Sequence, residues 1–542
     1  MISKRVSLPF QYVGILGTIC MMMLSVVVSC MKDEDYSTSP DDGFVFSQDT
    51  IAFDTVISGQ PTNTYTFQVY NPSARAIRIT QVFLEGGASS PYRVNVDGTF
   101  LEGGQASDFE IRSQDSIRVF LYLNANDADM DQPIPVNDRL HFRSEGGALG
   151  TVVLEAAAQS VVPLNGWVCQ SDTILDAKRP YQIMDSLVVA EGATLRLAPG
   201  TRLYFHADAG LRIDGTLIAQ GTLQCPIVMK GDRLGNMFSD QPYDRIPSQW
   251  QGIVITDKSK GNVFNYCDIH SSVWGIKVDS TDISHQSLLM ENTILHNVAR
   301  HALEVRHAQV FVGNSQITNA GGNCVHLRGG DATFVHCTIA NFYPFAGGRG
   351  VALDFANYDG EVRLPLQRAH FFNCLITGYG EDEIMGSASE RYTEDAFNYG
   401  FHYCMLNTPQ VEDENAFINC VWETKEDSTA REKNFTPEFD LDKLLFHFTL
   451  NPNSRAVDAA DADISREWYP IDLAGRPRRS RDNTGDLPDM GCYEGTRVKG
   501  LFQVVSPLYH SNLYITLVSI ATIPLPLKLS ICLVVNILTH TH

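Results

Sequence analysis

Histidine is the chemistry-bearing residue that this chain concentrates. Seven of its 15 histidines (His270, His285, His296, His301, His307, His326 and His336) fall between residues 263 and 341. An imidazole titrates near neutral pH and ligates metals through either ring nitrogen, so such a cluster could bind a metal or the carboxylate of a sugar. His270 and His296 occupy equivalent positions in two repeated segments. On adjacent rungs of a sheet their rings would lie about 5 Å apart. With Arg300 or Arg306 beside them, His270, His296 and Arg300 are the candidate catalytic set. The competing reading is a solvated face of stacked imidazoles.

Two further clusters could bind ligands. The segment from Asp232 to Trp250 carries Asp232, Tyr243, Asp244 and Trp250. Aromatic faces stack on sugar rings and carboxylates accept from hydroxyls, so this loop reads as a glycan platform, unless Trp250 caps the coil interior instead. Glu381, Asp382 and Glu383, followed by Glu390, Glu394 and Asp395, place six carboxylates within 15 residues. Oxygen donors of that density could hold calcium, although the spacing is not that of an EF-hand loop. A charged surface loop is the alternative. Clustered aspartates of the kind that pectin-type hydrolases use are missing: between residues 166 and 455 there is no Asp-Asp and no Gly-His-Gly. None of the five repeat copies contains Asn-x-Asp, which counts against an enzyme.

What must position these residues is an internal repeat. Cys267-Asp268-Ile269-His270-Ser271, Thr293-Ile294-Leu295-His296-Asn297, Ser315-Gln316-Ile317-Thr318-Asn319 and Cys337-Thr338-Ile339-Ala340-Asn341 follow one another at offsets of 26, 22 and 22. A fifth copy, Cys374-Leu375-Ile376-Thr377-Gly378, comes 37 residues later, which leaves about 15 residues for an inserted loop. Under the period of two, the first, third and fifth residues of each copy share one face. That face holds a small residue or Cys, an aliphatic, and Asn, Ser or Gly. A period near 22 with β-branched residues predicts a right-handed parallel β-helix over residues 165–455, with inward Cys267, Cys337 and Cys374 as fillers and Asn297, Asn319 and Asn341 as a corner ladder. Leucine-rich repeats share the period, but their L-x-x-L-x-L-x-x-N frame is absent.

The flanking regions set the context. The chain has 542 residues with 41 Lys plus Arg against 63 Asp plus Glu, a net charge of −22 that argues against nucleic acid as partner. Residues 44–160 carry short alternating runs such as Tyr65-Thr66-Phe67-Gln68-Val69-Tyr70, separated by turn dipeptides, and predict an Ig-like β-sandwich acting as a spacer. Of 12 cysteines none forms a CxxC pair, so a zinc ribbon is not expected. Lys4 and Arg5 precede an apolar run from Tyr12 to Val28 that ends in small residues before Cys30. That is the pattern of a lipoprotein signal peptide over residues 1–29, with Cys30 lipidated; an uncleaved anchor helix is the alternative. Residues 30–43 read as an acidic tether and 456–495 as a closing segment. Residues 496–542 are apolar, lack any acidic residue and contain Pro524 and Pro526, which fits an aberrant or poorly ordered tail rather than a membrane helix.

Lys32-Asp33-Glu34-Asp35 resembles the export tag of surface lipoproteins of Bacteroidetes. Phe53-Asp54-Thr55-Val56, Pro199-Gly200-Thr201, Gly231-Asp232-Arg233, Pro242-Tyr243-Asp244, Gln249-Trp250-Gln251-Gly252-Ile253, Asp472-Leu473-Ala474-Gly475-Arg476-Pro477-Arg478 and Asp489-Met490-Gly491-Cys492-Tyr493-Glu494 extend the likeness. With them the chain resembles the right-handed β-helix lipoproteins of that group from Phe44 to Gly495. The resemblance implies an all-β fold and an outer-membrane, cell-surface address through the lipid anchor. The function expected is carbohydrate recognition or adhesion without catalysis. Polysaccharide lyase or glycoside hydrolase is the first alternative, a structural stalk the second, and calcium is the one cofactor to consider.

Overall fold

The structure is a computed structural model that describes residues 35–495, apart from 128, 239–240, 425–428, 437–443, 445 and 479–486. The expected signal peptide, Cys30 and the apolar tail lie outside the described residues. From Val45 to Gln159 the chain forms a two-layer sandwich of one five-stranded and one seven-stranded sheet. Ser116–Leu123 shows why: its residues alternate inward and outward, so Ile117, Val119, Leu121 and Leu123 enter the core while Arg118 and Phe120 stay out. Facing residues of the second layer include Ile79, Leu140, Phe142 and Leu154, each fully buried. The sandwich contacts the start of the coil that follows it at the strand Tyr181–Ile183 and the turn before it. Gln60 Nε2 donates to Gln182 Oε1 at 2.9 Å, and Arg179 Nε pairs with Asp131 at 2.6 Å.

From Val162 to Trp422 the chain is a right-handed parallel β-helix whose three sheets hold, among the described residues, eleven, nine and ten strands. Sheet I contains Cys267–His270, Ile294–Val298, Gln316–Ala320, Thr338–Asn341 and Leu375–Gly378. Sheet II contains Ile276–Val278, Leu303–Arg306, Val325–Arg328 and Leu353–Ala356; sheet III contains Gln286–Glu291, Gln309–Gly313, Gly330–Val335 and Leu366–Phe372. The repeat copies stack in the register their alignment implies: Asp268, Ile294, Gln316 and Thr338 are successive partners, as are His270, His296, Thr318 and Ala340. The extra residues before the fifth copy are divided between two excursions, 342–352 and 357–365, the second of which holds a small hairpin of Tyr358–Asp359 with Val362–Arg363.

Inward positions form ladders that close-pack the coil. Ile269, Leu295, Ile317, Ile339 and Ile376 are all fully buried, each contributing about 1.5–3 kcal/mol of transfer free energy. Cys267, Cys337 and Cys374 are buried free thiols, and burial pushes the Cys267 thiol up to about 12. Asn319 Nδ2 donates to Asn297 Oδ1 at 3.3 Å, while Asn341 turns its amide to the carbonyls of Gly322 and Gly350.

Another corner ladder, between sheets III and I, runs through Tyr266, Asn292, Asn314, His336, Asn373 and Tyr403, with φ between 47° and 54°. Asn is enriched there because its short polar side chain tolerates the left-handed region. The closing segment docks on this corner. Arg478, fully buried, donates to Asn314 Oδ1 at 2.7 Å and Glu494 Oε1 at 3.0 Å, and Ser465 of the helix Ala462–Trp468 lies 2.8 Å from His336 Nε2.

Candidate functional site

Two histidine clusters lie on adjacent faces of the coil. On sheet I, the period of two turns Asp268 and His270 outward from one strand, and the parallel register sets His296 beside His270. The two rings are 4.9 Å apart between centroids and inclined by 35°. Asp268 Oδ1 meets both, at 2.9 Å from His270 Nδ1 and 3.2 Å from His296 Nε2. Burial pushes the Asp268 carboxyl up, but the charge and hydrogen bonds of His270 and His296 outweigh it and hold the group well below the usual range. Lys230 lies one rung lower in the same outward column and is ion-paired with Asp244 at 2.8 Å. The 232–250 excursion forms a wall across this face: Ser271 Oγ donates to the Asp244 carbonyl at 2.5 Å and Asn297 Nδ2 to that of Arg245 at 3.2 Å.

On sheet II the register builds a different column, Lys277–Glu304–His326–Asp354. Beside it, at the corner from sheet I, stand Trp274 and His301. Their two turns are joined by the bond from Gly275 N to His301 O, 3.0 Å long. His301 stacks on His326 at 4.2 Å and 7°, and Trp274 lies 6.0 Å from His301. Lys277 Nζ and Arg300 Cζ rest against the indole at 4.6 and 5.6 Å from its centroid. Asp354 accepts a two-pronged pair from Arg328 at 2.8 and 3.1 Å, together with His326 and Asn323. Burial pushes this carboxyl up, yet the hydrogen bonds of His326 and Arg328 bring it down to about 2.

His301 is disfavoured as a cation: burial first, then neighbouring charges that include Arg328 and Lys277, lower it to about 4 against the opposing pull of Asp354, and its Nδ1 accepts from Asn323 N at 2.9 Å. Glu304 pairs through Oε1 with Lys277 Nζ at 3.8 Å, and its Oε2 is buried without a hydrogen-bond partner.

The sequence-derived residues distribute unevenly over these faces. His270 and His296 do meet, as the repeat implied, but Arg300 lies against Trp274 at the next corner instead of joining them. Trp250 cannot face a ligand: it is fully buried, stacked on Phe205 at 4.2 Å, with Nε1 donating to His270 O at 2.8 Å. Asp232 is held by Gln182 and His206, both at 2.9 Å, and Tyr243 lies under Arg233 at 5.0 Å. With Asp244 on Lys230, the four residues form no shared platform.

The acidic trio does not converge on a cation either. Glu383 is buried and accepts from Arg349 at 3.0 Å and Ala352 N at 2.9 Å, whereas Asp382 faces outward and accepts from Thr408 at 2.7 Å. Among the described residues the one cluster of three His, Cys or acidic donors that converges is Asp268, His270 and His296. Asp268 was missed from the sequence, although its place two residues before His270 on the same outward face could have found it. Trp274, Glu304 and Asp354 carried no comparable signal.

The family comparison agrees with the coil of the β-helix. Residues 200–360 match the family model described as right handed beta helix region. No curated protein sequence matches the chain. Among solved structures, pectate lyase Pel9A is 12% identical, with 62% of this chain and 88% of that chain covered and a TM-score of 0.26. The catalytic domain of a GH87 alpha-1,3-glucanase is 9% identical over 68% of this chain and 90% of its own, with a TM-score of 0.16. A PapD-like domain of human CEP192 is 10% identical over 24% of this chain and 92% of its own, TM-score 0.16.

Proposed function

We propose that this chain is a lipid-anchored protein of the outer cell surface that binds a carbohydrate polymer along sheet II without cleaving it. The observation that carries the reading is the Trp274 corner. A half-buried indole, two imidazoles and the cations Lys277 and Arg300 share one open face. Such a surface offers stacking to the apolar side of a sugar and acceptors and donors to its hydroxyls. Arg328 is paired with Asp354 and Arg306 with Asp359, whereas Arg300 has no carboxylate partner among the described residues. An unpaired guanidinium beside an aromatic ring favours a polymer that carries carboxylates, such as a uronate.

The test is to challenge the full chain, in mild detergent, with neutral and uronate polysaccharides, scoring retention and newly formed reducing or unsaturated ends. Retention without product, strongest for uronates, is the expected result. New ends would establish a lyase or hydrolase, and no retention would leave a stalk. The anchor has its own check: Cys30→Ala should move the protein out of the membrane fraction.

A further inference from the structure

The sheet I cluster is separate from the sugar-binding face and has the composition of a metal centre. We propose that Asp268, His270 and His296 bind one first-row divalent ion, with zinc as the best match. Two imidazole nitrogens and one carboxylate oxygen suit borderline ions; calcium and magnesium select all-oxygen sets. Three protein ligands leave positions open, as in zinc sites that take water or a substrate oxygen.

The distances fit. An ion with bonds near 2.1 Å needs about 3.0–3.4 Å between neighbouring ligand atoms. The two oxygen–nitrogen separations are 2.9 and 3.2 Å, and all three donors lie within 4.8 Å of one another. Closing the remaining nitrogen–nitrogen edge takes a rotation of His296, whose side chain is 25% exposed. His270 is the fixed member, at 8% exposure, with its own carbonyl held by the Trp250 indole.

Lys230, the cation one rung lower, is held on Asp244 at 2.8 Å, which leaves the Asp268 carboxylate to the two imidazoles.

The full chain, stripped with a chelator, would be titrated with zinc by calorimetry and with cobalt(II) by visible absorption. One equivalent should bind, cobalt should give the ligand-field bands of a low-coordinate nitrogen and oxygen site, zinc should displace it, and millimolar calcium should not. Asp268→Asn and His296→Gln should each weaken zinc binding at least tenfold while the melting transition persists. In ¹⁵N-histidine-labelled protein, zinc should shift the ring nitrogens of His270 and His296; this measurement decides the matter even if a variant fails to fold. Absence of stoichiometric binding, unchanged affinity in both folded variants, or shifts at other histidines would overturn the proposal.

Discussion

The histidines of sheet I and those of sheet II are one corner apart on the same solenoid, yet their neighbours give them different chemistry. On sheet I the rung partner of His270 is His296, so a single carboxylate two residues back is shared by both rings. On sheet II the rung partners of His326 are Glu304 and Asp354, and its stacking partner His301 belongs to the corner. The first arrangement converges donors on a point, the size of an ion. The second spreads aromatic faces, cations and acceptors over several rungs, the size of a saccharide. In a solenoid, a residue's role is set by what stands 22 to 28 positions away in the next coil, more than by its immediate sequence neighbours.

The largest expected effect breaks the sheet II side alone. A Cβ on Gly275 would lie 2.0 Å from the Ala302 carbonyl oxygen, so Gly275→Ala must push two turns apart just beneath Trp274. It should cost about 3 kcal/mol, read as a lower denaturant midpoint, and abolish polysaccharide retention while zinc uptake by the folded fraction survives. Loss of zinc binding in protein that remains folded would mean the two faces are coupled. Next, Asp268→Asn removes two hydrogen bonds to a charged group and should cost about 2 kcal/mol in stability without altering retention on polysaccharide. Trp274→Ala should do the reverse: roughly 1 kcal/mol of binding, about fivefold in Kd, with an unchanged denaturant midpoint. An equal loss of stability would make the indole a packing residue.

How much of this could be read from the sequence follows from where the repeat is regular. Sheet I is entered through a short corner of constant length, so Ile269, Leu295, Ile317 and Ile339 recur in phase, and the His270–His296 contact is deduced from their alignment. The turn from sheet I to sheet II varies, from the four residues 299–302 or 321–324, through the five residues Ser271 to Gly275, up to the eleven residues 342–352 before Leu353–Ala356. No fixed spacing therefore links Trp274, His301, His326 and Asp354, and the face they share is visible only in three dimensions. Trp250 misled for a related reason: flanked by acids in an excursion, it has an exposed-loop context, but the chain re-enters the coil there and its ring fills the space over Phe205. The left-handed corner of Tyr266, Asn292, Asn314, His336 and Asn373 was detectable as a polar residue just before each copy, next to the ladder that the alignment had already found.

The smallest effect, and the sharpest discriminator between the faces, is pH. His301 is lowered from its ordinary 6.5 to about 4, so between those values the unfolded chain takes up a proton that the folded chain refuses. Its contribution to stability is complete above about 6.5 and is lost progressively as pH falls to about 4. Asp354, lowered to about 2, is ionised across that window; its own contribution is present above 3.8 and drains away only as pH approaches 2. Polysaccharide retention should accordingly stay constant from pH 8 to 5, because the imidazole against Trp274 remains neutral and the Arg328–Asp354 pair intact, and should fall only as His301 protonates. An NMR titration of the ring carbons resolves the question directly: a His301 midpoint near 4 preserves the contrast, whereas a midpoint near 6.5 would show the corner to be solvated and would place both faces in the same electrostatic class.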